Sequence, residues 1–234
     1  MQPKRSFIIP TLFIIFTFSL LVGLGTWQLM RMEKKNDRIE MVEKAMQSRP
    51  ATLSSINLDK PKIPYRRVKL TGRFMHEKEA HLFTGPRVPK GKPGYNILTP
   101  FERSEGGYIL VDRGWTLVAS KSPVNRPDSL NPAPVKIEGI IMPEEKPGYF
   151  TPRNQLEKNL WFWLDTEALR EFTGYDLPRS YVRQVSENPF KSIIAGKAEI
   201  NVRNDHLQYA ITWYILAIAS LVIYVLLRKQ HKKS

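Results

Sequence analysis

The chain has 234 residues, enough for one medium domain and little more, and its 42% hydrophobic and 25% charged content is that of an ordinary soluble protein. It has no cysteine, which excludes a disulfide framework, a thiolate metal site and a cysteine nucleophile. The net charge of +14 raises nucleic acid as a partner, but Lys4, Arg5, Arg228, Lys229, Lys232 and Lys233 flank apolar ends, and without them 30 basic residues stand against 22 acidic ones with no dense basic run. Anionic lipid or an acidic protein face accounts for that excess equally well, and no nucleic-acid partner is expected.

The apolar residues are concentrated at the two ends. Phe7 to Thr26 is a run of 20 residues without a charge; at about 1.5 Å per residue it spans roughly 30 Å, the thickness of a bilayer's hydrocarbon core. Leu207 to Leu227 is a second uncharged run, of 21 residues. Both are expected to cross a membrane. The alternative for the first, a cleaved signal peptide, fits Lys4-Arg5 but not the length of the apolar stretch, and no A-x-A site follows. Pro10 falls in the first turns, where a missing N–H costs little. The cations at both ends hold both termini in the cytoplasm. Arg31, Lys34 and Lys35 pull the other way, but they belong to a long loop, where the rule weakens. The segment between the spans then faces a bacterial periplasm or a mitochondrial intermembrane space. No Arg- and Ser-rich transit peptide precedes the first span, which favours a multi-pass protein of a bacterial inner membrane with a periplasmic domain.

Between the spans, Leu29, Met32, Ile39, Val42 and Met46 recur at near-helical spacing, interrupted at Asn36 and ended by Arg49-Pro50, so residues 27–49 predict a helical stalk. Residues 50–205 form a β-rich domain. Tyr65 to Phe74 alternates, with Val68 and Leu70 on one face and Arg67, Lys69 and Thr71 on the other. Glu79 to Thr84 is a short strand, and Gly85 to Gly94, with three prolines and three glycines, a loop. Tyr95–Glu102 and Tyr108–Leu117 make a hairpin turning at Ser104-Glu105-Gly106-Gly107. Ser120 to Pro134 is a loop, Val135 to Met142 a strand, Pro143 to Asn159 irregular and Trp161 to Leu164 a short aromatic strand. Asp165 caps a helix through Phe172 that Gly174 closes, and Ser180 to Val185 is the last strand. The fold class is therefore an α+β membrane protein: two terminal transmembrane helices, 7–26 and 207–227, flanking a mainly antiparallel β domain.

The usual catalytic signatures are missing: no G-x-S-x-G, P-loop, H-E-x-x-H or dinucleotide fingerprint occurs. His76 and His81 lie near Glu77 and Glu79, but an odd spacing on a strand puts the two rings on opposite faces, and solvated surface residues are expected instead of a metal site. His206 stands where the second span begins and shares a helix face with Ala210 and Trp213. Ionisable groups at membrane depth are functional candidates, and an imidazole beside an aromatic near lipid can ligate a haem iron. Chemistry alone favours the other reading, an interfacial anchor in an aromatic belt with Tyr209, Trp213 and Tyr214. Trp27, Gln28 and Arg31 lie at the same membrane face, where packing or headgroup contact explains them. Arg113-Gly114-Trp115 ends a strand, as core packing with a glycine-enabled bend or as a surface for a partner. Trp161 and Trp163 share a strand face, more often core than recognition.

Four stretches together resemble the surfeit-locus-protein-one family, the assembly factors of cytochrome c oxidase. They are Gly25-Thr26-Trp27-Gln28-Leu29-Met30-Arg31; Tyr65-Arg66-Arg67-Val68 with Gly72-Arg73-Phe74; Gly94-Tyr95, Thr99-Pro100-Phe101 and Ile109-Leu110-Val111-Asp112-Arg113-Gly114-Trp115; and Asn154-Gln155, Trp161-Phe162-Trp163-Leu164-Asp165, then His206-Leu207-Gln208-Tyr209-Ala210-Ile211-Thr212-Trp213-Tyr214. Two positions depart from the family. Lys34 stands where a second aromatic often follows the first motif, which weakens aromatic contacts at the membrane surface. Asn96 stands where histidine often follows Gly-Tyr, so no ligand is expected at that strand.

The resemblance implies a chaperone or carrier, not an enzyme, that helps build oxidase subunit I by delivering or holding haem a, with haem a synthase as a further partner. His206 matches the family's suspected haem ligand, with Trp213 beside it. Two other readings stand against it. One is a membrane-anchored adaptor whose β domain binds an envelope or respiratory partner without haem. The other is a tethered hydrolase, for which Asp112, Glu102 and Glu138 are available carboxylates that no spacing selects.

Overall fold

The computed structural model describes residues 8–53, 58, 65–85, 91–144, 146–186, 191–196 and 204–233, with 231–233 as backbone only. The Lys4-Arg5 cations and residues 86–90 of the expected loop lie outside them. The chain divides into two compact units, Met1–Met41 with Ile200–Ser234, and Val42–Glu199.

α1 (Ile8–Gln47) is one uninterrupted helix that contains both the apolar run and most of the expected stalk residues. Pro10 is its third residue, where no intrahelical N–H bond is required. The stalk's Val42 and Met46 are buried, and the helix stops at Gln47, just before Arg49-Pro50. α3 is His206–Lys233. Only 6% and 11% of the apolar windows of α1 and α3 are buried, although both have a mean hydropathy of 2.3. A core helix of a soluble protein hides such a surface; these two are exposed, and by length and composition able to cross a membrane.

The second unit is a sheet of β1 (Ala51–Thr52), β2 (Arg67–Phe74), β3 (Ala80–Thr84), β4 (Gly94–Arg103), β5 (Tyr108–Leu117), β6 (Val135–Met142) and β7 (Tyr181–Gln184). Its order is β1-β2-β6-β7-β5-β4-β3, and β2 also pairs with β4. The five strands β2, β6, β7, β5 and β4 therefore close into a ring, a barrel-like arrangement with β1 and β3 added outside it. The interior is filled from every strand of the ring, with Val68, Phe101, Val111, Ile141 and Val182 at its centre. The predicted alternation of β2 holds: Val68 and Leu70 are buried and Lys69 and Thr71 exposed. The hairpin of β4 and β5, the span of β6, and helix α2 (Thr166–Thr173), with Asp165 accepting from the Ala168 N–H at 3.2 Å and Gly174 at φ +76°, also follow the sequence pattern.

The sheet is mainly antiparallel, as expected, with two parallel pairings, β1 with β2 and β5 with β7. Two expectations are corrected. Trp161 to Leu164 is not a strand: one isolated bridge joins Leu82 to Trp161, and then the chain bends into the cap of α2, leaving Trp161 fully buried and Trp163 only half-buried. Arg113-Gly114-Trp115 does not offer a surface. Between the pairs Asn96↔Trp115 and Leu98↔Asp112, β5 has two residues opposite one, a bulge at Arg113-Gly114. Gly114 sits at φ +117°, where a Cβ would stand 2.1 Å from the Ile194 carbonyl oxygen, and Arg113 is turned into the interior at 1% exposure.

The closing seam is narrow. Gly72 is paired with Val135 of β6 on one side and Arg103 of β4 on the other, and a Cβ there would fall 1.9 Å from the Glu102 carbonyl oxygen. Gly72→Val is expected to force β2 off β4 at a cost of about 1–3 kcal/mol. Hydrogen exchange would then speed up first at the Met75 and Ser104 amides, which bond across the seam to Pro100 and Thr71; uniform loss of protection around the ring would contradict this.

Candidate functional site

Within the first unit, α1 and α3 run antiparallel and are tied by polar groups along their length. Thr11 and Tyr224 hydroxyls meet at 2.5 Å, Thr26 and Tyr214 hydroxyls at 3.1 Å, and the Asn204 amide donates to Asn36 Oδ1 at 2.7 Å. Gly25, Ala210 and Ala217 are the buried small residues of this pair. A Cβ on Gly25 would lie 2.9 Å from the Tyr214 ring, so the glycine is what lets that ring approach. Small residues and interhelical hydrogen bonds are what hold helices together where lipid supplies no hydrophobic drive.

His206 is the first residue of α3, half-buried, and its Nδ1 lies 2.8 Å from Gln28 Oε1. Gln28, read from sequence as a membrane-face residue, is thus the partner of the candidate ligand. Trp213 is half-buried on the same helix face. Tyr209 is 57% exposed, and Trp27, 50% exposed, carries the Arg31 guanidinium 5.4 Å from its ring centroid. Trp27, Arg31 and Tyr209 are thus exposed on the helix pair.

The second unit contains a polar cluster that residue spacing did not reveal. Glu79 and His81 are not solvated surface residues; they are 4% and 6% exposed, with His81 Nε2 2.7 Å from Glu79 Oε1. Arg126, fully buried, donates through Nη2 to the same carboxylate oxygen. Its other bonds go to the Ser120 and Lys121 carbonyls (3.0 and 3.3 Å) and Ser129 Oγ (3.1 Å), which pins the Val118–Ser129 loop, three short 3₁₀ turns, onto the barrel. Asn159, at φ +45°, donates to the Glu79 carbonyl at 2.8 Å and accepts from Trp161 Nε1 at 3.0 Å. Burial alone would raise the Glu79 pKa, but the His81 hydrogen bond and the Arg126 charge outweigh it and hold the carboxyl below the usual range. His81 also lines an open cleft of about 360 Å³ with Lys121, Asn125, Lys158 and Asn159.

The bulge delivers Arg113 beside this cluster. Its Nη1 donates to His76 Nδ1 (3.2 Å), its Nη2 to the Ser129 carbonyl (2.7 Å), and its guanidinium lies 4.5 Å from the centroid of Phe74. Burial pushes Arg113 down to about 10 and lowers His76, whose Nε2 then donates to the Asn131 carbonyl at 2.9 Å. The three carboxylates considered for hydrolysis are not brought together. Asp112 is buried with Asn96 (2.9 Å) and the Gly114 N–H (3.1 Å), Glu138 bonds Arg67 and Lys69, and Glu102 is exposed.

Because the folded Glu79 carboxyl has a lowered pKa, its contribution is present above the unfolded value and is lost as pH falls through the folded one. Wild-type stability should therefore drop more steeply below about pH 4 than that of Glu79→Gln, followed by thermal unfolding. Arg126→Met at neutral pH is expected to cost about 3–5 kcal/mol, since it leaves a buried carboxylate without its cation.

The chain is similar over most of its length to known proteins. A model of the SURF1 family matches residues 15–218. A SURF1-like protein of Rickettsia conorii is 33% identical over 226 residues, covering 94% of this chain and 92% of the relative. One from Monosiga brevicollis is 32% identical over 220 residues, covering 89% and 83%. Surfeit locus protein 1 of Gallus gallus is 30% identical over 214 residues, covering 84% and 68%. With a family match over most of its length and relatives at 30–33% identity over most of the chain, the chain belongs to the SURF1 family.

Proposed function

We propose that this protein is an assembly factor for a haem-a cytochrome c oxidase that holds haem a and passes it to subunit I. The observation that carries the reading is His206: at the start of α3 its Nδ1 is engaged by Gln28, and among the described residues Nε2 has no hydrogen-bond partner. That donor set fits a haem iron, for which neutral imidazole is a usual axial ligand, with Trp213 on the same helix face to meet the macrocycle edge. The haem is cargo that brings its own redox iron. The chain's part is to bind it, orient it and shield it from water, without turnover of a substrate. Subunit I is the receiving partner and haem a synthase the donor. In this reading α1 and α3 cross a bacterial inner membrane with both termini in the cytoplasm and the barrel in the periplasm, as the terminal cations favour.

A second reading, an adaptor that binds an envelope or respiratory partner without haem, draws on Tyr149 and Phe150. They are 96% and 92% exposed on one turn, with ring centroids 5.1 Å apart, an unusual pair to leave in water.

A visible spectrum of the detergent-purified protein, coexpressed with the haem a synthesis enzymes, separates the two. The carrier reading expects a haem a Soret band that His206→Ala removes. Absence of the band from wild type would leave the adaptor. Deleting the gene should lower haem-a oxidase activity; normal activity with full haem a content would overturn both the delivery role and the assembly role.

A further inference from the structure

Gln28, Met32 and Asn36 follow one another at four-residue intervals, so they share one face of α1. That face holds the entry to α3: Asn204 donates its amide to Asn36 Oδ1 at 2.7 Å and to the Met32 carbonyl at 3.5 Å, and Gln28 takes His206 at 2.8 Å. Three residues before Gln28, Gly25 makes room for the Tyr214 ring, which Thr26 bonds through its hydroxyl at 3.1 Å. The imidazole is thus fixed in place by clamps on both sides of it along the helix pair.

The hydrogen bond also fixes the proton. A side-chain amide oxygen only accepts, so the Nδ1 that faces Gln28 Oε1 must carry the hydrogen, and Nε2 is left with its electron pair. Histidines that bind metals are set in this way by the group that holds their second nitrogen. We propose that Gln28 is a positioning residue that presets His206 as the Nδ1–H tautomer, with Nε2 aimed as an axial donor to a metalloporphyrin iron. The axial role rests on the carrier reading above; the tautomer does not.

The two are tested separately on the full-length protein in detergent. The apo protein is labelled with ¹⁵N-histidine, and long-range proton–nitrogen spectra are recorded at about pH 8, where imidazole is neutral. The chain has four histidines, and the His206 signals are those lost in His206→Ala. Wild type should show a protonated Nδ1 and a bare Nε2. Gln28→Leu should shift His206 towards the Nε2–H form, and Gln28→Glu, which also accepts, should restore Nδ1–H. A wild-type Nε2–H tautomer, or a Gln28→Leu spectrum unchanged from wild type, would overturn the assignment. Ferric haem titrated into the same samples should bind Gln28→Leu about 10–100-fold more weakly than wild type, with Gln28→Glu recovering. If wild type shows the Nδ1–H tautomer but binds no ferric haem, the carrier reading and the axial role fall together, while the Gln28–His206 clamp stands.

Discussion

β2 leaves β6 and takes up β4 within the space of one residue, and the closed ring exists because Gly72 lets the Glu102 carbonyl come that close. Closure gives each ring strand a partner on both sides and leaves edges only to the short β1 and β3, and it encloses an apolar centre drawn from all five ring strands. The connections between strands do not share that core. The Val118–Ser129 segment has Pro123 and Pro127 opening two of its turns and few apolar residues of its own, so it is held by buried charge. Arg126 reaches through it to Glu79, and Arg113 reaches the Ser129 carbonyl from the bulge.

Buried ions of this kind are a balance of desolvation against pairing. Glu79 would be costly in the interior by itself, yet with His81 and Arg126 on one oxygen its charge is the favoured form. Such a cluster specifies one loop arrangement more than it adds stability: an apolar contact could slide, whereas a guanidinium that must satisfy a carboxylate, two carbonyls and a hydroxyl has one place to be. In the structure the family's Arg113 and Trp161 words belong to this framework. Trp161 is locked by Asn159, and Asn154 accepts from the Phe162 and Trp163 amides at 2.8 and 3.3 Å.

The helix pair solves a different problem. Within their apolar windows both helices present apolar surface on every side, so burial cannot select a register there, and hydrogen bonds and small residues do. The first and last family words prove to be two halves of one contact. Gly25, Thr26 and Gln28 on α1 receive Tyr214 and His206 on α3, which explains why a glycine, a hydroxyl and an amide stand at these spacings beside a tryptophan that faces outward.

Much of the fold was legible in the sequence because its signals are local. Twenty uncharged residues measure a bilayer, alternation in Arg67–Phe74 marks a strand with one buried face, and Asp165 and Gly174 bracket a helix by capping chemistry. Local patterning therefore marked the two helices long and apolar enough to cross a membrane, most of the strands and, through its family words, the kinship. The remaining features depend on residues far apart in the chain. Arg126 meets Glu79 across 47 positions and His206 meets Gln28 across 178, distances over which no periodicity speaks. The bulge turned Arg113 inward because one extra residue in β5 reverses which face a side chain takes, and Trp161 is joined to Leu82 by an isolated bridge instead of a strand ladder. Charged and aromatic residues read as surface from composition were made interior by partners that only folding supplies.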